Sequence, residues 1–380
     1  MIKRLGDICE FVGGGTPSKK NPEFYGGSIP WATVRDMNVR VIESTEHSIT
    51  PDAVQQSATN IIPKGEVVIS THVGLGKVCF LGQDTAINQD LKAVIPRKGL
   101  SRRYLYYWFV SKADELIANG KGATVKGVTL DFVKNLRIPV LPVREQERVS
   151  DALDKLTHII ELSDSQIDRL DSVVKSRFVE MFGDEKRFPA VTVGDVFTVK
   201  GPKRIHKEEW TNEGVPFYRV SNLSDLLEGR ETTSDNFISR SRFEELKADE
   251  QVPAAGDVLV TARGTLGRCY VVKPHDEFYF QDGMITWLAD RSERITLPYF
   301  LQAVQSQAFK RQYEGKSSGT TVAYMTIGQL AKYKLPLPPL ALQREFAAFV
   351  AKVDKLAFAV KKSLESSEKL YRQQLSEAFS

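Results

Sequence analysis

Leu5-Gly6-Asp7-Ile8 returns in this chain as Val193-Gly194-Asp195-Val196, and that return is the first of a series. Ile29-Pro30-Trp31 with Arg35 is answered by Val215-Pro216-Phe217 with Arg219. Ile62-Pro63-Lys64-Gly65-Glu66-Val67-Val68-Ile69-Ser70 is answered by Val252-Pro253-Ala254-Ala255-Gly256-Asp257-Val258-Leu259-Val260. Gly74-Leu75-Gly76-Lys77 matches Thr265-Leu266-Gly267-Arg268, Gln89-Asp90 matches Gln281-Asp282, and Gly122-Ala123-Thr124-Val125 matches Gly319-Thr320-Thr321-Val322. A repeat of this length is one supersecondary plan built twice. The 380 residues leave room for two domains of about 150 residues and their connectors. Proline-and-glycine turns that run into short apolar stretches read as turns feeding buried strands, so each half is a mixed, β-rich domain.

Ile138-Pro139-Val140-Leu141-Pro142 and Leu335-Pro336-Leu337-Pro338-Pro339 each open a segment of helical pattern. Proline is tolerated just before a helix and not within one, so these runs mark boundaries. The expected layout is a domain over 1–144, a helical spacer over 145–182, a second domain over 183–340 and a second helical spacer over 341–380. Val149, Leu153, Leu156, Ile160, Ser163, Ile167, Leu170, Val174, Phe178 and Met181 advance mostly by alternating four and three, the spacing of a heptad seam. Phe346, Val350, Val353, Ala357, Val360, Leu364, Ser367, Tyr371, Leu375 and Ala378 form a second seam. Neither stripe can stay in water; each is the obvious partner of the other, the alternative being that each folds back on its own domain. The fold class is therefore α+β: two tandem mixed α/β domains, each followed by a long helix. The helices are expected to pair as an antiparallel coiled coil with pseudo-twofold symmetry.

Hydrophobic residues at 42% and charged residues at 26% suit a folded globular protein. Cys9, Cys79 and Cys269 are far apart and form no CxxC pair, which points to a reducing, cytoplasmic setting without structural zinc. No apolar run approaches signal-peptide or membrane-span length, so export and membrane insertion are not expected. The net charge of +4 is unevenly spread: +6 over 1–144 (19 basic, 13 acidic), −4 over 145–182 (5 and 9), zero over 183–340 (21 and 21), and +2 over 341–380 (7 and 5).

Enzymatic motifs fail on inspection. In Gly74-Leu75-Gly76-Lys77, Thr71 stands where a phosphate loop needs its first glycine and Val78 where it needs Ser or Thr for magnesium. Phe11-Val12-Gly13-Gly14-Gly15 and Asn21-Pro22-Glu23-Phe24 lie too close together to be the cofactor and catalytic motifs of an adenine methyltransferase. Pro51-Asp52 followed by Glu66-Val67-Val68 lacks a nuclease lysine, and His47, His72, His158, His206 and His275 show no ligand spacing. No catalytic set and no metal site are expected.

Polar loops at corresponding places in the halves fit DNA contact better, since their side chains supply phosphate anchors and base-edge donors. In the first half these are Thr16, Lys19, Lys20, Arg35, Asp36, Thr71, His72, Lys77, Gln89, Lys121, Thr124 and Lys126. In the second they are Lys203, Arg204, Arg219, Ser221, Asn222, Arg263, Thr265, Arg268, Gln281, Lys316, Ser318 and Thr320. A helix over 145–182 would be about 57 Å long at about 1.5 Å per residue. That separates two contacts by about one to one and a half turns of DNA.

Several motifs stand in a specific order: Gly-Gly-Gly-Thr-Pro-Ser-Lys (13–19) with Ile-Pro-Trp (29–31), Arg-Gly-Thr-Leu-Gly-Arg (263–268), the two Gln-Asp pairs, and Pro-Leu-Pro-Pro-Leu-Ala-Leu-Gln (336–343) entering a helix. With them the chain resembles, over essentially its whole length, the specificity subunit of a type I restriction-modification system. The resemblance implies two target-recognition domains that each read half of a split double-stranded DNA sequence, with helices that set the gap and dock two modification (methyltransferase) subunits as well as restriction (translocase/nuclease) subunits. S-adenosylmethionine, ATP and magnesium would then belong to those partners, and this chain would carry no cofactor. The acidic 145–182 helix suits such docking. Two other readings remain open here: a stand-alone DNA-binding or regulatory protein on the same repeat, and a methyltransferase or nuclease in its own right.

Overall fold

The computed structural model describes residues 1–122, 126–263, 266–281, 283–314 and 324–379. The chain divides into two compact units, one of residues 1–165 with 360–380 and the other of residues 166–359. Each therefore holds one β-rich domain, part of its own long helix and part of the other's.

In the first unit, Val67–Ser70 lies at the centre of a five-stranded sheet. The strand order is Cys9–Gly13, Leu91–Pro96, Val67–Ser70, Val78–Leu81, Val41–Ile42, antiparallel except for the last pair. All four residues of Val67–Ser70 are buried, as a strand covered on both faces requires. Val67 and Ile69 face one core cluster, and Val68 faces another. A four-stranded sheet, His47–Ile49, Tyr25–Ala32, Thr85–Ile87, Ile61–Ile62, stands beside it. The helix Arg102–Ser111 buries Tyr104, Leu105, Tyr106, Tyr107, Trp108 and Phe109, so it is apolar nearly all round and sits inside the unit.

The second unit repeats this plan. Val258–Thr261 is an inner, wholly buried strand of a four-stranded sheet, and Trp210–Thr211, Phe237–Ile238, Val215–Tyr218 and Tyr279–Phe280 form the other. Trp31 and Phe217, matched in sequence, are both buried in strands that pair in parallel with the strand preceding the Gln-Asp dipeptide. In each unit a short N-terminal strand, Ile2–Arg4 or Ala190–Thr192, pairs antiparallel with the strand that carries the proline run, Arg137–Pro139 or Lys334–Pro336. The hydroxyls of Tyr104 and Tyr299 donate to the carbonyls of Pro139 and Pro336 at 2.9 and 2.6 Å.

The long helices span Val143–Phe182 and Leu340–Phe379. Every seam position, from Val149 to Met181 and from Phe346 to Ala378, is buried or half-buried. In the first unit the start of the first long helix meets the end of the second. Leu153 and Phe379 share one cluster, with Val149, Tyr371, Leu375 and Ala378 packed against it. In the second unit the end of the first helix meets the start of the second. Phe178 and Phe182 both lie 5.6 Å from Phe346, and Arg177 pairs with Glu345 at 2.8 Å. The pairing is antiparallel.

Part of the acidity of the first helix faces inward. Glu147, Asp151 and Asp154 all pair with Arg103 of the domain, and Asp154 also binds Arg40 and the Tyr107 hydroxyl. Charge summed along a sequence cannot separate carboxylates that seat a domain from those left in water. Glu161 and Asp164 remain exposed, beside the exposed apolar side chains Ile159 and Leu162.

Candidate nucleic-acid interface

In the first unit, five loops are tied into one polar edge by hydrogen bonds. The Gly13–Thr16 segment lies against the end of the strand Thr85–Ile87: Gly15 N–H donates to the Ile87 carbonyl at 3.0 Å. A Cβ on Gly14 would stand 2.1 Å from that same carbonyl oxygen, so only glycine fits there. The Thr16 hydroxyl donates to the side-chain carbonyl of Gln89, fixing an exposed amide that follows a buried strand. Thr71 N–H binds the Asp90 carbonyl at 2.9 Å, and Val128 N–H binds the Thr71 carbonyl at 2.8 Å, while Lys121 and Gly127 exchange backbone bonds beside it, which brings those residues to the same edge. Lys77 reaches the 33–38 loop, where its ammonium donates to Asn38 at 2.6 Å and to the Val34 carbonyl at 3.4 Å.

Lys19, Lys20, Arg35, His72, Lys121 and Lys126 are exposed on these loops, and Arg35 is only loosely paired with Glu46 at 3.5 Å. Lys77 is half-buried, and one ammonium proton is left over beyond its bonds to Asn38 and Val34. Thr124 lies outside the described residues.

Three of the residues expected at a DNA contact have their polar groups engaged within the protein. Thr71 is 2% exposed, and its hydroxyl donates to the Asp90 carbonyl at 3.1 Å. Asp36 turns its carboxylate onto the Thr33 N–H and hydroxyl and the Glu46 N–H, at 2.7, 3.1 and 2.8 Å. Asn222 accepts from Arg219 N–H and donates to Thr232 and Thr233, each at 2.9 Å. The reason is the same for all three: short polar side chains beside turns bond the nearest backbone before they reach outward.

Lys92, which is not among the residues expected at a DNA contact, lies on the same edge. Its ammonium donates to the Gln89 carbonyl at 2.7 Å, and burial draws its pKa down, opposed by Asp90. Lys92 has no basic counterpart in the second half, where Met284 follows the Gln-Asp pair at the matching distance, so a search by recurrence passes over it.

In the second unit the corresponding loops gather in the same way. Gln281 N–H donates to the Tyr218 carbonyl at 2.9 Å, and Met325 N–H to the Ala262 carbonyl at 2.9 Å. The Gln305 amide reaches the Gly267 carbonyl at 2.9 Å. Arg219 is exposed, its guanidinium 5.5 Å over the Trp210 ring. Ser221, Lys203, Arg204 and Arg263 are exposed, Lys203 facing Asp249 at 3.7 Å, while Gln281 is half-buried. Arg268 is held at 3.0 Å by Glu228. Arg268, and after it Arg230, hold the Glu228 carboxyl below its ordinary range. Thr265, Lys316, Ser318 and Thr320 lie outside the described residues.

The Glu66 carboxylate is buried in an ion pair with Arg102. Among the described residues, no group of three or more His, Cys, Asp or Glu side chains stands where it could hold a metal ion, and no helix is long and apolar enough to cross a membrane.

The arrangement is thus two similar polar edges of different detail, each built on its own β-rich domain. The model of the type I restriction modification DNA specificity domain matches residues 1–171 and again residues 185–367. This chain belongs to that family. Among relatives of the DNA specificity domain family, the specificity subunit of the type I restriction enzyme MjaIX from Methanocaldococcus jannaschii is 26% identical over 387 residues, 92% of this chain and 85% of the relative. The EcoR124I/EcoR124II specificity subunit of Escherichia coli is 36% identical over 160 residues, 40% of each chain. The crystal structure of the type I restriction-modification S subunit from M. genitalium covers 100% of this chain and 96% of its own, at 17% identity and a TM-score of 0.56. A second type I restriction-modification structure, described for complex assembly and conformational transition, covers 100% and 97% at 19% identity and a TM-score of 0.59. These two share the fold.

Proposed function

We propose that this chain is the DNA-recognition subunit of a type I restriction-modification system. Its two domains each read one half of a split double-stranded sequence, and its paired helices set the gap between the halves. It directs two modification subunits, and through them restriction subunits, to that sequence. The observation that carries this reading is the duplicated family match, with each copy bearing its own polar edge of differing side chains. Two readers of one plan and unlike detail suit a target with two unlike halves.

In this reading the chain supplies no catalytic group. S-adenosylmethionine, ATP and magnesium serve the partner subunits, and this chain's residues bind and orient. The exposed stretch of the first helix around Ile159, Glu161, Leu162 and Asp164 offers apolar and acidic groups together, which suits protein docking and repels phosphate. The protein acts in the cytoplasm, where the DNA is.

Methylation-site sequencing tests the proposal directly. DNA from cells carrying this chain with its modification subunit is expected to show a split methylated motif that disappears when the chain is deleted. A motif that survives the deletion, or no motif while the modification subunit is active, refutes it. The second domain offers a finer check at Arg263, which is exposed just past the strand Val258–Thr261. Arg263→Ala is expected to weaken or relax one half-site by about 1–3 kcal/mol, roughly 5-fold to 150-fold. The readout is methylation of duplexes varied at each base of each half-site, and unchanged preference at every base removes Arg263 from the contacts.

A further inference from the structure

Two glutamines make the same three hydrogen bonds in the two units. Gln146, fully buried in the first turn of the first long helix, accepts from Ser101 N–H at 2.8 Å and donates to the carbonyls of Gly99 at 2.9 Å and Leu141 at 2.8 Å. Gln343, fully buried in the first turn of the second, accepts from Thr296 N–H at 2.9 Å and donates to the carbonyls of Arg294 at 3.0 Å and Pro338 at 2.8 Å. Ser101 and Thr296 are the residues that open the domain helices Arg102–Ser111 and Leu297–Gln305. Leu141 and Pro338 belong to the proline runs. Each amide therefore joins three segments that meet where a domain sits on a helix: the entry to a domain helix, the proline run and the long helix itself.

Glutamine alone suits this position. Glutamate accepts but donates nothing, lysine donates but cannot accept, and asparagine is one methylene short. Buried backbone groups need partners, so the segments cannot shift against one another without stranding a carbonyl or an N–H. Part of the surroundings is shared as well: Tyr104 and Tyr299 donate to the carbonyls of Pro139 and Pro336, and their rings lie 4.9 Å from Phe379 and from Phe182. The first junction adds the ion pairs of Arg103 and Arg40, and the second adds the rings of Phe178 and Phe346. The glutamine joint is the same in both although these additions differ.

We infer that Gln146 and Gln343 are positioning residues that fix the angle of each DNA-reading domain on its helix, and thereby the gap length the subunit accepts. This rests on the function proposed above. The test uses the complete complex with its modification subunits and labelled S-adenosylmethionine. Its substrates are three duplexes with constant half-sites and the gap correct, one base pair short or one base pair long, and a second set with the correct gap and each half-site base varied in turn.

The wild type is expected to prefer one gap by about a hundredfold. Gln146→Met and Gln343→Met, each alone, are expected to cut that preference about tenfold while the preferred half-site bases stay the same. In amide hydrogen exchange, Gln146→Met opens Ser101 and Gln343→Met opens Thr296, each without the other. If a Met variant does not fold, the Gln→Glu variant keeps the accepted bond, loses both donated ones and carries the same test. A rate lowered by one factor on all three duplexes, or an unchanged gap preference at full activity, overturns the inference. A wild-type complex with no half-site preference counts against the proposed function instead, and the exchange experiment then decides whether the joint holds its domain.

Discussion

Phe346→Ala is expected to destabilise the second unit by about 3–5 kcal/mol, the cost of emptying a buried aromatic site. Phe346 is fully buried in the first turns of the second long helix, and its ring meets Phe178 and Phe182 at 5.6 Å each. Tyr299 closes the same cluster, 4.9 Å from Phe182 and 5.7 Å from Phe178. These rings come from both long helices and from the domain helix Leu297–Gln305, so one truncation removes packing from all three at once. For a unit of this size the transition should fall by on the order of 10 °C. Phe358→Ala is the control: that ring is 71% exposed, and its loss should change stability by less than about 0.5 kcal/mol. Thermal or urea unfolding of the two variants side by side checks this. A Phe346→Ala transition within a degree of wild type would mean that the cluster does not hold the junction.

Asp154→Ala should loosen the first unit by about 2 kcal/mol, less than the loss of a fully buried ion pair because water still reaches part of the site. The Asp154 carboxylate accepts from Arg40, Arg103 and the Tyr107 hydroxyl, and its side chain is 27% exposed. The Arg40 guanidinium also lies 5.4 Å from the Tyr107 ring centre and 5.5 Å from that of Tyr106. Removing one carboxylate therefore leaves two guanidinium groups and a phenol short of an acceptor.

Burial by itself raises the pKa of Asp154, but the Tyr107 and Arg40 hydrogen bonds, with the arginine charges, outweigh it and hold the carboxyl below its ordinary range. A carboxyl lowered on folding contributes stability that is fully present above its unfolded pKa of about 4 and is lost as pH falls through the folded value. The stability gap between wild type and Asp154→Ala should therefore be constant from neutral pH down to about 5 and close in stronger acid. Denaturant unfolding at a series of pH values measures this, and a gap that widens in acid would contradict the assignment.

Much of this architecture was legible from one sequence because it is written twice. A repeat supplies its own alignment, so the buried strands Val67–Ser70 and Val258–Thr261 and the two proline-to-helix boundaries stood out without relatives. The heptad spacing located both stripes, since an apolar period close to that of a helix surface leaves little choice about which side turns inward. Recurrence marked the polar edge but not what its side chains bond: Thr71, Asp36 and Asn222 turn their polar groups onto neighbouring segments, and Lys92, basic in one half only, bonds the Gln89 carbonyl.

The sequence by itself determined that there would be two β-rich domains, two long helices and the stripe by which each helix is buried, because periodicity and turn chemistry act over a few residues and can be read locally. Only the tertiary structure decided which carboxylates of the first helix bind Arg103 and Arg40, which loop side chains are free to face a ligand, and that Gln146 and Gln343 each join three separated segments. Those outcomes depend on which groups arrive within about 3 Å of one another after the chain has closed, and a hydrogen bond or ion pair between distant residues leaves no period in the sequence to find.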